Sequence, residues 1–220
     1  MSLKEIALKA NSNYSHQRIF NIESHCISEL YWSFLPNSFH TGKVKKCVIE
    51  VNQDWGKNLY DYTSLWTDVK KINLNFEFES YLKLDKYNKK KAQLEVLHAG
   101  MLKIAENEGW EKKVLIESYN KCLENNLEYQ FLVKGQMKTS PDKIHKISLW
   151  CNWDLDKIEL FWVLFDKKGA EIKRCIFTKK EPQFGEFIYY LSWNWQDNDS
   201  IIIENNYKYS KKEKWVISIN

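Results

Sequence analysis

The stretch IHKISLWCNWDLDKIELFWVLF, residues 144–165, decides the fold. Its first half alternates. Ile147, Leu149, Cys151 and Trp153 fall on one side of an extended chain, and Lys146, Ser148, Trp150 and Asn152 on the other. Asp154–Asp156 is a polar turn. Its second half is apolar on both sides, with Ile158, Leu160, Trp162 and Leu164 against Phe161, Val163 and Phe165. Two strands joined by so short a turn must run antiparallel.

Working outward, the rest of the C-terminal third repeats this pattern. Strands are expected at Glu128–Lys138, Ile144–Trp153, Lys157–Phe165, Glu171–Phe177, Glu186–Trp195, Ser200–Ile203 and Lys214–Ile219. Turn residues separate them, as at Thr139–Lys143 and Asp166–Gly169. The result is an antiparallel meander over residues 127–220.

Upstream the period changes. Leu94, Leu97, Met101, Ile104 and Ala105 recur at helical spacing behind Asp85, a suitable N-cap, and Gly109 ends that helix. Val114, Leu115, Tyr119, Cys122 and Leu123 mark a second helix. Residues 85–126 therefore form a helical hairpin. Residues 1–84 are less regular. Phe20–Leu35 reads as a helix or as two short strands. Val44–Val51 reads as a strand, and Leu59–Val69 as a short helix. Ile72–Leu84 alternates and reads as a strand, with Ile72, Leu74, Phe76 and Phe78 inward and Glu77 and Glu79 on a wet face.

The expected fold class is α+β, a helical hairpin packed on a mostly antiparallel, curved β-meander sheet. One domain over residues 1–220 is expected, with residues 1–84 as an alternative N-terminal subdomain. The apolar second face of Lys157–Phe165 needs a cover. The N-terminal segment, closure of the sheet on itself, or a partner molecule would each supply one.

The chain has 220 residues, enough to bury a sizeable core without disulfides or metal. Its formal charge is +4, and residues 1–84, 85–138 and 139–220 share the excess as +1, +2 and +1. Only Arg18 and Arg174 are arginines, so nucleic acid is a disfavoured partner. Five widely spaced cysteines without a C-x-x-C pair point to reduced thiols and a cytoplasmic protein. Met1–Ala10 lacks a signal-peptide core, and the apolar runs are too short to span a bilayer, so no membrane partner is expected.

No catalytic motif emerges, and an enzyme is not the favoured reading. The nucleophile elbow, the phosphate loop and the dinucleotide fingerprint are all missing. The five histidines show no paired ligand spacing with the cysteines, so no metal and no cofactor is expected. Glu77 and Glu79 could be an acid–base pair, though a solvated strand face accounts for them.

What the sequence has in surplus is aromatic residues, ten of them Trp. The expectation is a non-catalytic module that binds another protein, such as a small bacterial inhibitor or immunity-type protein. Trp150, Trp153, Phe161, Trp162, Tyr189, Trp193 and Trp195 would line its surface, because aromatic side chains dominate interface energetics. A homodimer is compatible with this. The alternative is a small-molecule-binding protein or enzyme with a pocket between the helices and the sheet. Tyr207, Lys208, Tyr209, Lys211, Lys212 and Trp215 interleave aromatic and basic residues, a pattern that can also stack single strands.

Overall fold

The computed structural model describes residues 3–11, 15–53, 61–209 and 212–219. The fold class is α+β, and the chain divides into two compact units, Met1–Tyr129 and Gln130–Asn220.

The first unit is built on a four-stranded sheet. In chain order its elements are β1 (Glu5–Ala10), α1 (Ser15–Glu23), α2 (His25–Ser33), β2 (Lys46–Asn52), β3 (Asp61–Trp66), β4 (Val69–Asn75), α3 (Phe78–Leu82), α4 (Lys86–Glu108) and α5 (Lys112–Glu124). The strand order is β1-β2-β4-β3. β1 and β4 both run parallel to β2, while β3 is antiparallel to β4. Ile6, Leu8, Val51, Ile49, Ile72 and Leu74 are buried on one face. The helices pack there, α2 on β1 and α4 on β2 and β4. Gly100 of α4 allows a close approach, since a Cβ on it would stand 2.6 Å from Ile49 Cγ1. The hairpin of α4 and α5, expected on the meander, thus finds its sheet in β2 and β4.

Three local expectations for this unit are corrected. Leu59–Val69 does not form a helix across its described part, because residues 61–66 are β3, and a turn at Thr67 and Asp68 leads into β4. Residues 59 and 60 lie outside the described residues. The strand expected over Ile72–Leu84 stops at Asn75. Phe76 and Phe78 are 5.1 Å apart and both meet Phe20, at 4.8 and 5.5 Å, so they close one aromatic cluster instead of pointing the same way along a strand. Glu77 becomes the residue before α3 and Glu79 lies in its first turn, so they are not neighbours on a strand face. Glu5–Ala10, to which the sequence reading assigned no element, is a strand whose Ile6, Leu8 and Ala10 are buried.

The second unit is two antiparallel sheets. β5 (Tyr129–Thr139), β6 (Lys146–Trp153), β7 (Ile158–Phe165) and β8 (Glu171–Lys180) form a meander. A 3₁₀ helix, Pro182–Tyr190, leads to β9 (Leu191–Trp195), β10 (Ser200–Asn205) and β11 (Lys214–Ser218), a second meander. Contacts tie the sheets at both edges. Trp195 Nε1 donates to Lys138 O at 3.1 Å, and the rings of Phe177 and Trp215 lie 5.5 Å apart. Ile147, Leu149, Cys151, Leu160, Leu191, Ile201 and Ile203 are all 0–1% exposed. Every residue of β7 from Ile158 to Leu164 is buried, Glu159 included, as its two apolar sides required.

One expected strand is shorter here as well. Glu186–Tyr190 is 3₁₀ helix, and only Leu191–Trp195 is strand. Pro182 opens the helix, and Gly185 lies against Trp153 so closely that a Cβ would meet its ring at 1.9 Å.

Candidate docking surface

The change from strand to 3₁₀ helix decides which aromatics face solvent. Strand alternation would send Phe187, Tyr189 and Leu191 the same way. In the 3₁₀ helix Phe187 and Ile188 are buried at 3% and 1%, and Tyr189 and Tyr190 stand out at 47% and 48%.

The turn after β10 brings two more tyrosines to that place. Asn206 N donates to Tyr190 O at 3.2 Å, and Asn206 Nδ2 donates to Ser192 Oγ at 2.8 Å. Tyr207 N donates to Oδ1 of the buried Asn205 at 2.9 Å. These bonds set the Tyr207 ring 4.9 Å from Tyr190, stacked at 30°, and 5.7 Å from Tyr209, edge-on at 81°. Tyr207 Oη donates to the Glu186 carboxylate. That bond, ahead of desolvation, pushes the phenol up to about 12. Lys208 Nζ sits 4.5 Å over the Tyr209 ring, and Tyr209 is 76% exposed. Exposed Tyr190 and Tyr209 thus flank a half-buried Tyr207 that is held in place by main-chain, amide and carboxylate hydrogen bonds.

The residues expected to line a surface are distributed otherwise. Trp153, Phe161, Trp162 and Trp193 are buried, Trp150 and Trp195 are half-buried, and Tyr189 is exposed. Trp193 lies beneath Lys138, whose Nζ is 4.8 Å from the ring centre and donates to Asn194 Oδ1 at 2.7 Å. Trp150 and Phe161 are cross-strand partners with rings 6.4 Å apart at 11°, in one row with Ile176 of β8. Trp150 Nε1 donates to Ser148 Oγ at 2.9 Å, and the Arg174 guanidinium lies 5.1 Å over Phe161. Tyr189 is exposed next to Tyr190 in the 3₁₀ helix, whereas Trp153, Trp162 and Trp193 are buried. Tyr207 and Tyr209 were visible in sequence as aromatic–basic interleaving. Tyr190 was not, since its exposure depends on the 3₁₀ helix.

Tyr81 Oη donates to Glu23 and accepts from Gln93 Nε2 at 2.6 Å, while Lys89 Nζ meets Glu23 Oε1 at 2.8 Å. Lys9 and Lys71 flank Glu50 at 3.1 and 2.8 Å; their hydrogen bonds outweigh burial and hold its carboxyl below the usual range. Cys26, Cys47, Cys122 and Cys151 are buried free thiols, and Cys175 is an exposed one. Burial pushes the Cys122 thiol up to about 12 and raises Cys47 and Cys151 further. Such thiols stay protonated and are poor nucleophiles. Among the described residues no group of three or more His, Cys, Asp or Glu is placed to hold a metal ion.

No family model, no curated protein and no solved structure matches the chain.

Proposed function

We propose that this protein is a non-catalytic binding module that docks another protein on the array of Tyr189, Tyr190, Tyr207 and Tyr209. The observation that carries the reading is that Tyr189, Tyr190 and Tyr209 are exposed, while half-buried Tyr207, held by its own hydrogen bonds, packs its ring against Tyr190 and Tyr209. Tyrosine suits that role because it offers a large amphipathic contact area at small conformational-entropy cost. An ordered ring has less entropy to lose on binding than a free one. An inhibitor of another protein is the concrete form this reading favours. Free thiols at all five cysteines fit a reducing, cytoplasmic setting.

The test is capture from source-cell lysate with the wild-type chain and with a Tyr190→Ala, Tyr209→Ala double variant. A stoichiometric protein retained by the wild type and lost by the variant is the expected result. Both substitutions remove exposed side chains, so the variant should fold. A partner retained equally by both would overturn the reading. So would tyrosine-dependent binding of an oligothymidylate in place of a protein, which is the behaviour of a single-strand stacking platform.

A further inference from the structure

Protein surfaces take up a partner's segment in a few recurring ways, and the groups around Tyr190, Tyr207 and Tyr209 discriminate among them. Adding a strand needs open N–H and C=O groups along the main chain. Here they are already bonded: Asn206 N donates to Tyr190 O at 3.2 Å, and Tyr207 N donates to Asn205 Oδ1 at 2.9 Å. An amphipathic helix needs an apolar groove. The apolar residues of the 3₁₀ helix, Phe187 and Ile188, are buried and line none. An acidic or phosphorylated segment needs clustered arginines. The chain has only Arg18 and Arg174, and Arg174 pairs with Glu171 at 2.9 Å. At the array itself Lys208 lies over Tyr209 and the Glu186 carboxylate accepts from Tyr207, one charge of each sign.

The array offers rings and hydroxyls instead. Tyr190 and Tyr209 are exposed, and among the described residues neither hydroxyl bonds to a protein group. Tyr209 stands at 81° to Tyr207, so the two rings form a corner, and Tyr190 stacks on Tyr207. A polyproline II segment matches this on three counts. It docks on aromatic-lined surfaces through its pyrrolidine rings. It has no internal hydrogen bonds, so its carbonyls stay open to hydroxyl donors. One turn of it rises about 9 Å. The array runs from Tyr190 through Tyr207 to Tyr209 in steps of 4.9 and 5.7 Å, a comparable length.

We propose that Tyr190, Tyr207 and Tyr209 receive a proline-rich segment of the partner in the polyproline II conformation. This rests on the docking reading above and narrows it to one partner chemistry. Proline rings pack on Tyr190 and into the corner between Tyr207 and Tyr209. The hydroxyls of Tyr190 and Tyr209 donate to the segment's carbonyls. Such a segment is extended before it binds and has little conformational entropy to lose.

The experiment is fluorescence anisotropy of a labelled oligoproline, and of a glycine–serine peptide of the same length, titrated with the full chain at low and high salt. Saturable binding of oligoproline alone is expected, with little change on adding salt, because the ligand carries no side-chain charge. Tyr190→Ala with Tyr209→Ala should weaken it by about tenfold or more. Tyr190→Phe with Tyr209→Phe keeps the rings and should weaken it by only about threefold. Tyr87→Ala, at an exposed tyrosine of the first unit, should leave it unchanged. Circular dichroism checks that each variant folds. Three results overturn the proposal: no preference for oligoproline, full binding by the alanine pair, or binding that high salt abolishes. Lysate capture keeps the two readings apart. A partner that needs Tyr190 and Tyr209, with no oligoproline binding, leaves docking intact and overturns the proline-rich segment alone.

Discussion

His98 shows how one side chain couples packing to pH. Tyr31 Oη donates to Leu115 O at 3.1 Å, so the contact of 3.0 Å between Tyr31 Oη and His98 Nδ1 requires the imidazole to donate from Nδ1. The ring stacks on Tyr119 at 4.5 Å. Desolvation holds its pKa below the usual 6.5. The unfolded chain therefore takes up the proton more readily than the folded one. The stabilisation is complete above about pH 6.5 and is lost as pH falls from there through the lower folded value. Urea midpoints should be level from pH 8 to 7 and decline below about 6.5, before the carboxylates titrate. A His98→Gln variant should flatten that decline; a variant that kept it would show that another group is responsible. In sequence His98 lies one turn from Leu94 and from Met101, near the apolar stripe of its helix, and that is where it packs. Its bond to Tyr31 joins residues 67 apart, which no local pattern reveals.

Two glycines separate conformational from steric constraint at the level of elements. Gly109 ends α4 with φ of +69°, and a Cβ there would meet nothing within 4 Å. Gly109→Ala should cost about 1 kcal/mol through backbone strain alone. Gly185 has ordinary φ, and its Cβ would collide with Trp153 at 1.9 Å. Gly185→Ala should cost about 1–3 kcal/mol or more through overpacking. Paired urea denaturations check both, and an unchanged midpoint for Gly185→Ala would contradict the packing of the 3₁₀ helix on β6. The first of these constraints could be read in sequence, from a glycine at the end of a helical stripe. The second could not, because it depends on a tryptophan 32 positions away. The same division runs through the elements. The hairpin helices and β5 to β8 follow local periodicity and turn chemistry, and sequence placed them within a few residues. Glu186–Tyr190 alternates in sequence, yet contact with Trp153 makes it 3₁₀ helix. Phe76 and Phe78 alternate too, yet their aromatic cluster ends β4.

For the whole molecule, the doubly apolar β7 announced a strand buried on both faces, and it is. Much of the aromatic surplus that suggested a binding surface goes into that burial. Trp153, Trp162 and Trp193 are core residues, while Tyr189 and Tyr190 of the 3₁₀ helix and Tyr209 after β10 are exposed, as are Trp66 of β3 and Tyr87 of α4. Sequence composition could count aromatics, but it could not sort buried from exposed ones, because alternation fails at residue 190. Free edges give less promising docking sites. β8 is exposed along most of its length, but its pairing with β7 shifts register twice, and Lys173, Lys179 and Lys180 line it. Bulges and lysines guard an edge against added strands.

A docking role requires the tyrosine array to be both accessible and used. Nitration by tetranitromethane, read by peptide mass, tests this in the free chain and again in the complex with a captured partner. Tyr190 and Tyr209 should react in the free chain and be protected in the complex, while Tyr31 and Tyr81, at 0% and 2% exposure, should stay unmodified in both. Unreactive Tyr190 and Tyr209 in the free chain, or undiminished reaction in the complex, would contradict it.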